Sequence, residues 1–194
     1  MTARLNVVAV NGSTATRSRS AALNYALLEA LGQRFSIGSH FIHLADIAEA
    51  VGSTFWRDKA PESVEKALQH IESADLLIVA TPVYRASYPG LLKHLFDLVD
   101  QDGLIGKPVL LAATGGSPYH ALVLEHQLRP LFSFFQSLTL PVGVYGTDAE
   151  FTDYQVTGSA LKARVELAVE RAVPILKALA VERAAPALKA LARA

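Results

Sequence analysis

The sequence predicts a doubly wound α/β fold, in which helices cover both faces of a five-stranded parallel sheet. Continuous apolar runs alternate along the chain with helical patterns, as in proteins built from repeated strand–helix units. One run, DLLIVATPV at 75–83, is apolar almost throughout, which is typical of a parallel strand covered on both sides. With 194 residues, of which 51% are hydrophobic, the chain is also long enough to bury a sizeable core.

Five apolar runs predict the strands of this sheet. They lie at 4–10, 40–44, 75–83, 107–116 and 141–147. A sheet of this type suits the strand order 2-1-3-4-5. The crossovers between its parallel strands are expected to be right-handed.

Helical patterns separate the strands and follow the last one. They lie at 18–32, 61–74, 89–100, 120–138 and from 159 onwards. In the first, leucines recur at helical spacing and Gly32 is a natural C-terminal stop. The second is amphipathic, and Pro61 suits its first turn.

The C-terminal pattern is Ala-rich and contains a short repeat, because 182–192 echoes 170–180. Since a repeat architecture needs more copies, we interpret the segment as a helical tail that packs loosely, frays or joins a subunit contact. Pro174 and Pro186 are predicted to kink or interrupt it. The predicted organisation is one domain over 1–180 and an Ala-rich helical or frayed tail over 181–194.

Composition excludes several classes of function. Lys+Arg and Asp+Glu number 18 each, so the chain lacks the basic excess of nucleic-acid-binding proteins. The absence of cysteine removes disulfides, thiolate metal sites and a cysteine nucleophile, and the histidines show no metal-ligand spacing. The sequence shows no signal-peptide pattern and no apolar run long enough to span a membrane. We therefore expect a cytoplasmic protein without a metal site.

Three loops carry the candidate site. They are NGSTATRSRS at 11–20, TPVYRASYPG at 81–90 and TGGSPYH at 114–120, after the first, third and fourth predicted strands. Open parallel sheets bind ligands outside the carboxyl ends of their strands. The three loops are therefore expected to meet at one edge of the sheet.

The first loop is predicted to bind a phosphate group. The N-terminus of the next helix offers unpaired N–H groups and partial positive charge, and Arg17 or Arg19 can add a charge-assisted hydrogen bond. Hydroxyl donors are available from Ser13, Thr16, Ser18 and Ser20. With a single glycine, Gly12, the loop matches neither the dinucleotide fingerprint nor a P-loop. The alternative is that Ser18 only caps the helix.

The other two loops suggest a flat ligand. Pro82 and Pro89 stiffen the second loop, and its tyrosines offer aromatic faces. Its backbone N–H groups over 84–87 are expected to line the polar edge of a heterocycle. In the third loop, Gly115 and Gly116 permit close approach of the backbone to a ligand. Ordinary turn chemistry is the alternative for both loops.

Together these segments resemble NAD(P)H-dependent FMN reductases of flavodoxin-like fold, most closely those of alkanesulfonate and methanesulfonate two-component monooxygenase systems. The resemblance covers the chain to about residue 180. It implies an FMN phosphate on Ser13, Arg17, Ser18, Arg19 and Ser20. It places the flavin ring against Pro82, Val83, Tyr84, Arg85, Ala86 and Ser87. It also places the pyrimidine side of the flavin against Thr114, Gly115, Gly116 and Ser117.

The resemblance also implies the chemistry and the partners. NADPH or NADH stacks on the exposed flavin face and passes hydride to FMN, so no catalytic acid or base is predicted. The reduced FMN goes to a separate flavin-dependent monooxygenase, and the reductase forms a homodimer or homotetramer. Similar reductases often carry tyrosine in a π-bulge near the subunit interface where this chain has His126. The alternative for His126 is a solvated or interfacial helix histidine.

Two other functions remain as hypotheses. One is an enzyme that keeps FMN bound and reduces quinones, azo dyes or metal oxyanions. The other is a flavodoxin-like electron carrier, which the neutral charge disfavours because such carriers are strongly acidic. The sequence does not choose between NADPH and NADH, or between FMN as substrate and FMN as prosthetic group.

Overall fold

A parallel sheet forms the centre of the computed structural model, which describes the backbone of residues 4–191 and the side chains of residues 4–180. Its strands are β1 (Leu5–Asn11), β2 (Ile37–His43), β3 (Leu76–Pro82), β4 (Pro108–Gly115), β5 (Leu138–Thr139) and β6 (Val144–Thr147). The order is β2-β1-β3-β4-β5, and β6 also pairs with β4. The predicted order 2-1-3-4-5 is therefore confirmed, with the fifth position shared by two short strands.

Helices lie on both faces of this sheet. They are α1 (Arg19–Gly32), α2 (Leu44–Ser53), α3 (Glu62–Ser73), α4 (Gly90–Asp97), α5 (Arg129–Phe134) and α6 (Ser159–Leu191). Side chains alternate across a strand, so Val7 and Ala9 of β1 pack with α1 and α6. Val8 and Val10 pack on the opposite face with α2, α3, α4 and α5. Both faces of the sheet are therefore buried.

Several local predictions differ from the structure. The helical pattern at 120–138 forms a 3-10 helix at Pro118–His120, a π-helix at Leu124–Leu128 and then α5. Helix α2 begins directly after β2 and was not predicted, although Leu44, Ile47 and Val51 recur at helical spacing. A hairpin of β7 (Phe151–Thr152) and β8 (Gln155–Val156) was also not predicted.

The C-terminal helix α6 runs without a break from Ser159 to Leu191. The predicted interruption at Pro174 and Pro186 is therefore wrong, whereas a kink at these prolines stays a prediction. A proline removes one backbone donor but keeps a φ close to the helical value, so the helix continues past it. Residues 192–194 of the predicted tail lie outside the described residues. Within residues 4–191, no helix has the length and apolar character that crossing a membrane requires.

Candidate functional site

The three predicted loops meet at one cavity of about 270 Å³. It lies outside the carboxyl ends of β1, β3 and β4, beside the point where the strand order reverses. Its predicted lining residues are Ser13, Arg17, Ser18, Arg19, Ser20, Pro82, Val83, Tyr84, Thr114, Gly115 and Gly116. A larger cavity of about 670 Å³ lies along α1 and α6, and its lining comes from none of the three loops.

Some predicted residues do not line this cavity, and some lining residues were not predicted. Thr16, Arg85, Ala86, Ser87 and Ser117 are absent from the lining. Ala15, Asp148 and Tyr154 are additions. The segment after β6 supplies Asp148 and Tyr154, and it also follows the carboxyl end of a strand. The rule that pointed to the other three loops therefore applied to this segment as well.

Asn11, the last residue of β1, organises the phosphate loop. Its side chain is fully buried. The Oδ1 atom of Asn11 accepts hydrogen bonds from the backbone N–H of Ser13 at 3.3 Å, from Ser18 Oγ at 3.3 Å and from Ser20 Oγ at 2.7 Å. A single amide oxygen therefore holds both ends of the loop. Sequence reasoning missed Asn11, although a polar residue that ends an apolar strand was a usable signal.

The N-terminus of α1 forms one wall of the cavity. Ser18 caps the helix, since its Oγ accepts from the backbone N–H of Ala21 at 3.2 Å. The Ser13 hydroxyl accepts from the backbone N–H of Ala15 at 3.1 Å. Ser20 is fully buried and its hydroxyl donates to Asn11, so this hydroxyl acts on the shape of the loop. The first N–H groups of α1 have no intrahelical acceptor and suit an anion.

The two arginines of this loop are held by residues after β6. The guanidinium carbon of Arg17 lies 4.7 Å from the centre of the Tyr154 ring, within the range of a cation–π interaction. Arg19 Nη1 lies 3.4 Å from Asp148 Oδ1, and both side chains are partly exposed. The cavity therefore contains two cationic groups and one carboxylate.

The second loop makes a tight turn over 84–87. Tyr84 and Ser87 exchange backbone hydrogen bonds, N–H to O at 2.7 and 3.1 Å. Arg85 and Ala86 have φ of 50° and 68°, which is the left-handed conformation of a two-residue hairpin turn. Two of the four amides expected to face a ligand are therefore used within the turn. The amides of Arg85 and Ala86 lie at its tip.

Tyr145 of β6 holds the third loop in place. The Tyr145 hydroxyl donates to the backbone oxygen of Ser117 at 2.6 Å. Burial, together with the Asp148 carboxylate, raises the pKa of this hydroxyl, so it keeps its proton at neutral pH. A Cβ on Gly115 would lie 2.5 Å from the Tyr145 oxygen, so position 115 requires glycine. The Ser117 Oγ accepts from the backbone N–H of Tyr119 and caps the short helix there.

His126 lies in the π-helix Leu124–Leu128, and its backbone N–H donates to the oxygen of Leu122 at 2.9 Å. The next residue, Gln127, connects this helix to the second loop, because Ser87 Oγ donates to Gln127 Oε1 at 3.1 Å. The π-helix therefore contacts the turn at 84–87. Within the described residues, no group of three or more histidine, aspartate or glutamate side chains is placed to hold a metal ion.

The fold and the position of the cavity define the class of this protein, which is a flavodoxin-like α/β protein with a cavity at the β1/β3 switch point. The model of the NADPH-dependent FMN reductase family matches residues 5–152, and the chain belongs to that family. The predictions of family, fold and enzyme class are thereby confirmed.

Individual proteins support the same conclusion. An NADH-dependent FMN reductase SfnF of Pseudomonas fluorescens is 60% identical over 90% of this chain and 94% of its own. An FMN reductase (NADPH) of Pseudomonas aeruginosa is 58% identical over the same shares. The crystal structure of an oxidoreductase from Corynebacterium diphtheriae superimposes with a TM-score of 0.75 at 30% identity. That match covers 93% of this chain and 99% of the other.

Proposed function

We propose that the chain binds FMN in the 270 Å³ cavity and reduces it with NADPH or NADH. The observation that carries this proposal is that the three loops line one cavity. Their lining residues fall into two chemically different groups, which we assign to two ends of the cavity. One end has the helix N-terminus and two arginines. The other end has Pro82, Val83 and Tyr84 from the second loop and the glycines of the third.

The first end suits the phosphate of FMN. A helix N-terminus carries about half a positive charge, and Arg17 and Arg19 add two full charges. Arginine forms charge-assisted hydrogen bonds with phosphate oxygens. Hydrogen bonds from Ser13 and Ser20 to Asn11 fix both ends of the loop, which limits the conformational entropy lost on binding. This donor set matches a phosphate monoester.

The second end suits a planar ring. The second loop presents Tyr84, which is 47% exposed, and the third presents glycine backbone without side-chain bulk. When bound, the flavin supplies the hydride-accepting chemistry. The role of the chain is to hold the ring in place and to leave one side open to the nicotinamide. This requires no acid or base from the protein.

The comparisons support either nicotinamide. Two relatives at 60% and 58% identity are named for NADH and NADPH respectively, so overall similarity does not separate the two. The sequence has no G-x-G-x-x-G fingerprint, which fits a nicotinamide that stacks on the flavin without a dinucleotide-binding domain. Assays with both nicotinamides decide the preference.

The proposal extends to a partner and an assembly. We propose that reduced FMN passes to a flavin-dependent monooxygenase of a sulfonate system, and that the reductase is a cytoplasmic homodimer or homotetramer. The resemblance of the three loops to such reductases supports the partner. The exposed π-helix beside the ring end of the cavity is our candidate for the subunit contact, with His126 within it.

The first test measures FMN-dependent oxidation of NADH and NADPH by the purified protein. Oxidation that requires FMN and rises with its concentration supports FMN as the substrate. No FMN-dependent oxidation of either nicotinamide would disprove the activity. A yellow protein with ping-pong kinetics would instead favour bound FMN and another final acceptor.

The second test locates the phosphate by comparing FMN with riboflavin, which lacks it. Arg19→Ala is expected to weaken FMN about tenfold and riboflavin less than about twofold, because a charge-assisted bond to phosphate is lost. Arg34→Ala is the matched control, since Arg34 pairs with Glu166 at 3.5 Å and does not line this cavity. Equal losses for both ligands would contradict the phosphate assignment.

A further inference from the structure

A histidine lies directly behind the phosphate loop. His43 ends β2 and is the register partner of Asn11 at the end of β1. The Nδ2 atom of Asn11 lies 3.4 Å from His43 Nδ1. On the other side of the ring, His43 Nε2 lies 3.4 Å from the hydroxyl of Tyr25 on α1. The ring therefore connects the buried amide of Asn11 with helix α1.

The donors around Asn11 fix the orientation of its amide. The backbone N–H of Ser13 can only donate, and it points at Asn11 Oδ1 together with two serine hydroxyls. The oxygen must therefore face the loop and the NH₂ group must face His43. Because an amide NH₂ only donates, His43 Nδ1 must accept. An accepting Nδ1 requires a neutral ring with its proton on Nε2, which then donates to Tyr25.

Packing holds the His43 ring in this position independently of Asn11. The ring stacks on Phe41 with centroids 4.3 Å apart. Phe41 in turn stacks on Tyr25 with centroids 4.5 Å apart. These contacts hold the plane of the ring, and the contacts with Asn11 and Tyr25 set which nitrogen faces β1.

We infer that neutral His43 is a positioning residue for the phosphate loop, acting through the amide of Asn11. The inference rests on the proposed phosphate site. Without an acceptor at His43 Nδ1, the buried NH₂ of Asn11 loses its partner. The three loop donors still hold the amide oxygen, but the unpaired NH₂ makes the buried position of Asn11 less favourable. The central acceptor of the loop is then held less firmly, and the phosphate end is less well ordered.

The test compares two substitutions of His43 by flavin titration of the full-length protein after removal of flavin. His43→Phe keeps the ring stack but removes the acceptor. It is expected to weaken FMN about tenfold and riboflavin less than about twofold, since one buried amide is left unpaired. His43→Asn offers a side-chain oxygen close to the place of Nδ1. It is expected to restore FMN affinity to within about threefold of the unmodified protein.

A control on the same strand separates this effect from general damage. His40 lies on β2 and stacks on His70 of α3 with centroids 3.6 Å apart. His40→Phe is expected to leave the ratio of FMN to riboflavin affinity unchanged. The inference is overturned if His43→Phe keeps full FMN affinity, or if His43→Asn loses as much FMN affinity as His43→Phe does. It is also overturned if His43→Phe weakens FMN and riboflavin equally.

A measurement on the unmodified protein covers the case in which His43→Phe does not fold. The ¹⁵N chemical shifts of the His43 ring report which nitrogen carries the proton. We expect the Nε2–H tautomer, and the Nδ1–H tautomer would overturn the inference. Failure of the proposed function looks different, because the unmodified protein would then bind FMN no more tightly than riboflavin.

Discussion

The proposed phosphate end and the proposed ring end of the cavity are built in opposite ways. At the phosphate end, the side chains of Asn11, Ser13 and Ser20 are at most 1% exposed and bond to one another. At the ring end, Tyr84 is about half exposed and the turn after it contains two residues with positive φ. The phosphate end therefore has a rigid, buried base, although Arg19 and Asp148 there are 42% and 47% exposed, whereas the ring end is open and locally strained. A ligand anchored by its charge and approached by a second substrate at its ring needs this arrangement.

The strongest test of the rigid end is Gly12→Ala. A Cβ at position 12 would lie 2.6 Å from Leu92 Cδ2 and 3.2 Å from Thr81 Cβ, and both neighbours are fully buried. We expect the free energy of unfolding to fall by about 1–3 kcal/mol. FMN affinity should fall about tenfold or more, because the loop must shift to make room. Denaturant unfolding and flavin titration measure the two effects.

Gly52→Ala is the matched control for this substitution. Gly52 is exposed on α2, and a Cβ there meets only Leu91 Cδ1 at an ordinary 3.7 Å. Alanine is a better helix former than glycine, so we expect about 0.5–1 kcal/mol of stabilisation. If Gly12→Ala were as well tolerated, the phosphate end would not be rigid.

Tyr145→Phe tests the support of the third loop. It removes the hydroxyl that donates to Ser117 at 2.6 Å, which is worth about 1 kcal/mol. Because this loop lies at the ring end, we expect FMN and riboflavin affinities to fall together by about three- to tenfold. Tyr119→Phe is the control, since Tyr119 is 91% exposed. A loss confined to FMN would place Tyr145 at the phosphate end instead.

The sequence alone predicted much of the fold and of the candidate site, but not all of it. Apolar runs and their alternation with helices predicted a doubly wound sheet, to which the strand order 2-1-3-4-5 is suited, and the carboxyl-edge rule then brought three distant loops to one cavity. Asp148 and Tyr154 were missed although the predicted fifth strand ends at 147, as β6 does, because the carboxyl-edge rule was not applied to the segment after it. The amides of Tyr84 and Ser87 are used in hydrogen bonds within their own turn. That turn depends on positive φ angles at Arg85 and Ala86, which the residue types alone do not predict.

The strain at the ring end is tested by Ala86→Gly. Ala86 has φ of 68°, a conformation that costs an L-residue about 1–2 kcal/mol and glycine very little. The greater freedom of glycine in the unfolded chain offsets about 0.4–1 kcal/mol of that gain. We therefore expect the free energy of unfolding to rise by up to about 1 kcal/mol. Ala26→Gly within α1 should instead lose about 1 kcal/mol, and equal losses at both positions would contradict the strain.

The smallest expected effect concerns the carboxylate at the phosphate end. Asp148 pairs with Arg19 at 3.4 Å, with side chains 47% and 42% exposed, so it competes with a bound phosphate for that arginine and repels it. Asp148→Asn should tighten FMN by about two- to fivefold at low salt, as expected for an exposed pair, and leave riboflavin unchanged.

Glu166→Gln provides the comparison for this substitution, because it breaks the Arg34 pair of similar distance and exposure away from this cavity. The gain at Asp148 should disappear at high ionic strength, since salt screens exposed charges. Isothermal titration of both flavins at two salt concentrations measures these differences. A gain shared by riboflavin, or one that persists in high salt, would show that Asp148 acts on the shape of the cavity. Asp148 would then not compete with phosphate for Arg19. The selectivity of the phosphate end would depend on the loop alone.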